Sequence, residues 1–186
     1  MLLGSTKYTS LNDLIDGCLR NERLAQQRLY ELYAARMTGI CLRYIGDKET
    51  ALDLMHDGFI KVFANMQKFS GKGAFEGWLR KIFVNISLEY LRKNDALRSS
   101  DDISDLQIQM ADDAETIIEK MSADEIVKLI NELPAGFRTV FNMYAIEGYS
   151  HAEIAKQLGI NEASSRSQFS RARAVLQERI KRNNRA

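Results

Sequence analysis

The fold is decided by residues 147–173, which are EGYSHAEIAKQLGINEASSRSQFSRAR. Ser150 and Glu153 are spaced as a capping box, in which the serine oxygen accepts from a backbone amide and the glutamate bonds back to the cap. Gly159 can take the left-handed conformation that ends a helix, and Asn161 can cap the helix that follows. The stretch therefore predicts a helix, a tight turn and a second helix.

The second of these helices has the side chains that a recognition helix in the DNA major groove needs. Small residues allow a close approach to the groove, while arginine and glutamine offer hydrogen bonds to base edges and charge for phosphates. The same motif is also a common packing unit, and a basic face can be merely solvated, so a purely structural role is the alternative. The candidate contacts are Ser164, Ser165, Arg166, Gln168, Arg171 and Arg173.

The composition favours an all-helical protein. The chain has 186 residues with one Pro and 11 Gly, and it is rich in good helix formers. Cys18 and Cys41 lie in helical patterns without metal-ligand spacing, so we interpret them as core thiols in a reducing cytoplasm. No run of residues predicts a signal peptide or a membrane span, and we expect no metal and no cofactor.

The net charge of +1 hides an uneven distribution. Residues 101–125 are acidic, with Lys120 as their single base, and residues 166–186 are basic, with Glu178 as their single acid. An acidic middle and a basic C-terminal helix cancel in the sum while suiting different partners.

Hydrophobic periodicity predicts two small helical domains on a flexible acidic tether. Residues 1–94 form the first domain, 95–121 the linker and 122–186 the second domain. The linker lacks a sustained period, and the only order that we expect in it is a transient helix at 114–120. The helices are predicted to begin after Ser10, at Asn21, at Lys48 (running to about Lys68), at Phe75, after Ser122, at Pro134 (running to about Ile146) and after Ser150.

Several motifs resemble the sigma factors of bacterial RNA polymerase. LPAGFRTVF and EGYSHAEIA within 133–155, with SRAR at 170–173, are similar to their promoter-distal DNA-binding domain. DLMHDGF at 53–59 resembles their core-polymerase-binding helix, and FEGWLRKI at 75–82 with EYLRK at 89–93 resembles their promoter-melting helix. The two blocks, their order and the short linker resemble the extracytoplasmic-function (ECF) group, which keeps only these two domains.

The resemblance implies a partner for the first block. Its helix would contact a coiled coil in the largest subunit of core polymerase, where carboxylates steer association and an exposed aromatic supplies apolar affinity. His56 alone would more often be an ordinary surface histidine. The residues assigned to this contact are Asp53, Leu54, His56, Asp57 and Phe59.

The resemblance also implies contacts with promoter DNA, both melted and duplex. The recognition helix would bind the upstream element as duplex, and the melting helix with the loop before it would hold one strand of the opened downstream element. For the two aromatics of the melting set a core position is the alternative, and for Arg80 and Lys81 a solvated face. The melting candidates are Lys72, Phe75, Trp78, Arg80, Lys81, Asn85, Glu89, Arg92 and Lys93.

One further partner and a role for the linker follow only from the resemblance. Members of the group are commonly held inactive by an anti-sigma factor, often membrane-anchored, and we carry this partner over as a hypothesis. The acidic linker would thread the polymerase cleft near the nascent RNA, with a solvated tether as the alternative.

The chain departs from the family pattern at three places. The family more often has Gln-Glu where His56-Asp57 stand, and Asp where Glu89 stands. Its recognition helix often has Thr-Val-Lys where this chain has Ser164-Ser165-Arg166. The promoter sequence therefore cannot be carried over.

Two rival functions were weighed against a sigma factor. A stand-alone helix-turn-helix regulator would share the C-terminal motif but lack the polymerase-binding segment at 53–59 and the melting helix at 75–93. It would bind duplex DNA without polymerase. An enzyme is rejected, because the sequence has no metal triad, no nucleophile paired with a base and no phosphate-binding glycine motif.

Overall fold

The computed structural model describes residues 8–94, 97 and 123–183. Every regular element within these ranges is helical, which confirms the all-α prediction. A 3-10 turn at Met66–Lys68 follows the third helix, and a π turn at Asn142–Ile146 follows the sixth. The helices are α1 (Leu11–Leu19), α2 (Arg23–Ile45), α3 (Lys48–Ala64), α4 (Phe75–Lys93), α5 (Ala123–Asn131), α6 (Ala135–Phe141), α7 (His151–Leu158) and α8 (Glu162–Asn183).

The predicted helix-turn-helix is confirmed together with its capping residues. Ser150 and Glu153 form the capping box at the start of α7. Gly159 ends α7 in the left-handed region with φ 69°. Asn161 Oδ1 accepts a backbone N–H of the first turn of α8 at 2.7 Å. Local side-chain chemistry therefore fixes both ends of the turn, while the predicted cap at Ser122 lies outside the described residues.

One helix ends earlier than its periodicity predicts, and another reaches its predicted end in a different helical form. The prediction that the third helix runs to about Lys68 is wrong, because α3 ends at Ala64. At this C-cap the backbone N–H and the side-chain amide of Asn65 both donate to the Lys61 carbonyl, at 3.1 and 2.8 Å. The predicted end of the sixth helix near Ile146 is confirmed: it is α-helical to Phe141 and continues to Ile146 as the π turn, after which the Glu147 N–H donates to the Asn142 carbonyl at 2.9 Å.

The chain divides into two compact units. Among the described residues, the first comprises 8–42 with 47–87, and the second comprises 43–46 with 88–94, 97 and 123–183. Of the predicted linker 95–121, only Leu97 is among the described residues, and the transient helix predicted at 114–120 lies outside them. The predicted domain boundaries stay predictions.

The core of the first unit depends on a close approach between α3 and α4. Gly58 of α3 lies against the ring of Phe83, which is fully buried on α4. The same ring contacts Phe59, with centroids 5.3 Å apart. Cys18 and Cys41 are both buried, which confirms their placement in the core. Burial, with a smaller contribution from Glu22, raises the pKa of the Cys18 thiol to about 11.

The core of the second unit joins α5 and α6 to the C-terminal half of α8. Buried side chains of all three helices form one apolar cluster, against which Ile126 and Phe141 are partly buried. The packing leaves the N-terminal half of α8 to contact α7 and the π turn. The cluster consists of Leu129, Ile130, Leu133, Phe137, Ala172, Val175, Leu176 and Ile180.

None of the helices in the described ranges is long and apolar enough to cross a membrane.

The approach of α3 to α4 predicts a large effect of a single methyl group. A Cβ added at Gly58 would lie 2.7 Å from Cδ1 of Phe83. Gly58→Ala should therefore lower the free energy of unfolding of the full chain by roughly 1–3 kcal/mol, as overpacking of cores does. Chemical denaturation followed by circular dichroism measures this change.

Gly39→Ala is the matched control, because nothing lies within 4 Å of a Cβ at that position of α2. This control should be neutral or stabilise the chain by about 0.4–1 kcal/mol. Equal stability of the two variants would contradict the close approach.

Candidate polymerase and nucleic-acid interfaces

One face of α3 is left exposed along its whole length. Asp53, His56, Asp57 and Ile60 are all exposed and follow one another at helical spacings of three, one and three residues. We call these four residues the α3 surface. It combines two carboxylates, an imidazole and an aliphatic side chain on one stripe of a rigid helix.

Two predicted contact residues of α3 instead belong to the core. The expectation that Phe59 is exposed is wrong, since only 2% of the residue is accessible. Its ring packs against Tyr30 and Phe83, with centroids 4.8 and 5.3 Å away. Leu54 is buried as well. Both side chains support the α3 surface from beneath, and neither is free to make a direct contact.

The apolar member of the α3 surface was missed by the sequence reasoning. Ile60 is 66% exposed and follows directly after the buried Phe59. Sorting the residues of α3 into a core face and a solvent face would have found Ile60, because it lies one turn after the exposed His56 and Asp57. His56 is held in place by Tyr30, whose hydroxyl lies 3.2 Å from its Nε2 and whose ring is stacked on it.

The aromatics of the predicted melting set are packed against one another. Phe75 is 4% exposed, and its ring contacts Tyr33, Phe69 and Trp78 with centroids 5.1–6.0 Å apart. Trp78 is half-buried and also contacts Phe69 at 5.6 Å. Phe75 therefore lies in the core, as the alternative interpretation expected. Trp78 keeps part of its surface accessible.

The polar melting candidates lie on exposed parts of the loop and of α4. Lys72 is exposed between Gly71 and Gly73, two left-handed glycines with open space around them. Arg80 is half-buried, with Nη2 4.0 Å from a carboxylate oxygen of Glu76. The exposed candidates of α4 are Lys81, Asn85, Glu89, Arg92 and Lys93, the first four of them at spacings of four, four and three residues.

The first half of α8 presents arginines to solvent. Arg166, Arg171 and Arg173 are exposed, and we call them the α8 surface. Arg166 forms an ion pair with Glu162 one turn earlier, on a side of the helix open to solvent. Ser164 and Gln168 are half-buried.

Ser165 cannot contact DNA directly, and its prediction as an exposed contact is wrong. It is fully buried, because the same helical face carries the apolar side chains that pack in the second unit. Its Oγ lies 2.9 Å from Nδ1 of His151, the first residue of α7. The hydroxyl therefore bridges the two helices of the helix-turn-helix.

His151 is surrounded by aromatic rings that the sequence reasoning did not connect. Its ring is stacked on Tyr144 of the π turn, with centroids 4.3 Å apart and planes at 14°. Phe169 of α8 lies edge-on to His151 at 5.8 Å. Burial and the charge of Arg166 lower the pKa of His151, and Glu162 opposes this shift. The imidazole is therefore predominantly neutral at pH 7.

Within the described ranges, no group of three or more His, Cys, Asp and Glu residues is placed to hold a metal ion.

Family models match both units. Residues 29–97 match the family model described as Sigma-70 region 2, and residues 123–176 match the model described as Sigma-70, region 4. Both models describe parts of one family and occur here in chain order, and together they span most of the chain.

Known proteins are similar to the chain over most of its length. The ECF RNA polymerase sigma-E factor of Haemophilus influenzae is 25% identical over 177 residues, covering 90% of this chain and 93% of that protein. The ECF RNA polymerase sigma factor SigE of Mycolicibacterium smegmatis is 31% identical, covering 81% of this chain and 59% of that protein.

A solved structure shares the fold. The sigma factor RpoE in complex with the anti-sigma factor NepR from Bartonella quintana matches with a TM-score of 0.51 at 22% identity, over 83% of this chain and 96% of that one. With both family models and the curated relatives in agreement, the chain belongs to the sigma-70 family, as an ECF RNA polymerase sigma factor.

Proposed function

We propose that this sigma factor binds core polymerase, the melted DNA strand and duplex DNA with three different surfaces. The α3 surface binds core polymerase, the loop at 70–74 and the polar face of α4 hold the melted strand, and the α8 surface binds the duplex upstream element. The observation that carries this division is chemical: the stripe on α3 is acidic and apolar, whereas the stripe on α8 is cationic. The protein acts by directing polymerase in the cytoplasm and does not itself catalyse a reaction.

The α3 surface fits a basic protein partner with an apolar patch. Asp53 and Asp57 steer a cationic partner during encounter. Ile60 offers an aliphatic side chain that is mostly accessible, so its burial on binding yields hydrophobic free energy that the buried Phe59 cannot supply. We infer that the partner is the coiled coil of the largest polymerase subunit.

The surfaces proposed to contact DNA differ in what they can read. Arginines of the α8 surface can form bidentate hydrogen bonds with guanine or hold phosphates. Along α4, Asn85 offers both a donor and an acceptor to an unpaired base edge, while the neighbouring lysines and arginines neutralise phosphates. Trp78 remains available for partial stacking with an extruded base.

An anti-sigma factor is proposed as a further partner. The solved structure with a similar fold is a sigma factor in complex with such a protein. The predicted tether at 95–121 would allow the two domains to be bound in an arrangement that differs from the one on polymerase.

The proposed polymerase contact predicts loss of initiation when the charge of α3 is reversed. Asp57→Arg should lower specific run-off transcription by roughly tenfold or more, because a like charge at a basic interface costs several kcal/mol. The assay uses core polymerase from the same source and a library of promoter fragments.

Asp16→Arg, at an exposed position on α1, is the matched charge reversal and should leave initiation unchanged. If core polymerase ignores the wild-type chain while duplex DNA still binds it, a stand-alone regulator replaces the proposed function.

The apolar part of the α3 surface has a prediction of its own. Ile60→Ser should weaken the binding of core polymerase by about 1.5–3 kcal/mol, the value of burying one such side chain. Its effect on folding should be small, because the residue is 66% exposed in the free chain. Fluorescence titration of labelled chain with core polymerase measures the affinity.

Leu19→Ser is the control, since this leucine is an exposed apolar residue on α1. Equal affinities of Ile60→Ser and the wild type would remove Ile60 from the interface.

A further inference from the structure

The hydrogen bond between His151 and Ser165 is a directional link between the two helices of the helix-turn-helix. Nδ1 and Oγ are 2.9 Å apart, and Ser165 is fully buried. A buried hydroxyl without a partner costs about 1–3 kcal/mol, so rotations of α8 that break this bond are disfavoured. A hydrogen bond also weakens when its angle changes, whereas the hydrophobic effect has no directional preference.

We propose that His151 is a positioning residue for the recognition helix: its bond to Ser165 fixes the rotation of α8 about its axis and thereby aims Arg166 and its neighbours at the bases of the upstream element. This inference rests on the proposed function of the α8 surface. It concerns neither a direct contact of His151 with DNA nor the charge of its ring.

The position of Ser165 within α8 makes the link effective. Ser164 and Arg166 flank it directly, and Gln168 follows three residues later. A rotation of the helix at residue 165 therefore displaces the candidate base contacts together. Major-groove recognition depends on the placement of such groups, because bidentate hydrogen bonds tolerate little displacement.

The imidazole itself is held from two sides. Tyr144 stacks on one face at 4.3 Å, and Phe169 meets the ring edge-on at 5.8 Å. Phe169 also contacts Tyr144, with centroids 4.5 Å apart. Since Phe169 follows Ser165 by one helical turn, His151 contacts α8 at two successive levels, and the rings restrict the direction in which Nδ1 points.

Ser165 needs a hydrogen-bond partner because its hydroxyl is fully buried, and His151 supplies that partner across the turn.

Two complementary substitutions separate the hydrogen bond from the ring stacking. His151→Phe keeps an aromatic ring against Tyr144 but removes Nδ1. His151→Asn loses the ring but places an amide near the position of Nδ1, so it can keep the bond to Ser165. Ser165→Ala removes the other partner with little change in volume.

The test measures discrimination between promoters as well as binding. Holoenzyme reconstituted from core polymerase and each full-length variant transcribes a promoter library in which only the upstream element is randomised. For each variant, the ratio of initiation from the preferred element to initiation from its single-base variants is determined, together with the thermal midpoint of the free chain.

We expect His151→Phe and Ser165→Ala each to lower this ratio about tenfold, the scale of one misplaced base contact. The double variant should be no worse than either single variant, and His151→Asn should retain most of the ratio. A merely structural role would lower initiation from all elements equally, in step with the thermal midpoint, and that result would overturn the inference. A wild-type holoenzyme that initiates without preferring any upstream element would overturn the proposed recognition function along with it.

Discussion

Helix α3 can lie against Phe83 only because residue 58 has no side chain, and this close approach fixes which way α3 faces. Once Gly58 and Phe59 face α4, the helical period turns Asp57 and Ile60 to solvent. The surface proposed to bind polymerase is therefore a consequence of core packing. A rotation of α3 by one residue would bury a carboxylate, which is unfavourable without a partner, and would expose an aromatic ring.

The rotation of the recognition helix α8 about its axis must also be fixed. Here a polar contact, rather than a close approach at a glycine, contributes to this. The C-terminal half of α8 is fixed by apolar packing of residues such as Val175 and Ile180. Its N-terminal half carries mostly small and charged side chains, with Phe169 as its one large apolar residue before Ala172. The bond from Ser165 to His151 adds a directional contact to the packing of Phe169 against Tyr144 and His151.

Sequence reasoning predicted those parts of the fold that local chemistry decides. The capping box at Ser150, the left-handed Gly159 and the cap at Asn161 each depend on residues a few positions apart, so the turn could be placed where it occurs. Sequence reasoning failed where contacts between residues distant in sequence determine which side chains are buried. Phe59 is buried because Tyr30 and Phe83 meet it from other helices, and nothing in the motif at 53–59 specifies those partners.

The errors at Phe59 and Ser165 have one physical cause. In each case a motif containing functional residues was assigned to a partner as a whole, although a helix can present only one side of such a motif. Phe59 precedes the exposed Ile60, and Ser165 precedes the exposed Arg166. A residue next to a contact on a helix is turned by about 100° from it, so adjacent positions in a motif serve different purposes. The buried member determines how the helix is held, and the exposed member makes the contact. It follows that a change at a buried position of such a motif can alter which partner is selected without touching the partner, and for this chain Ser165 is that position.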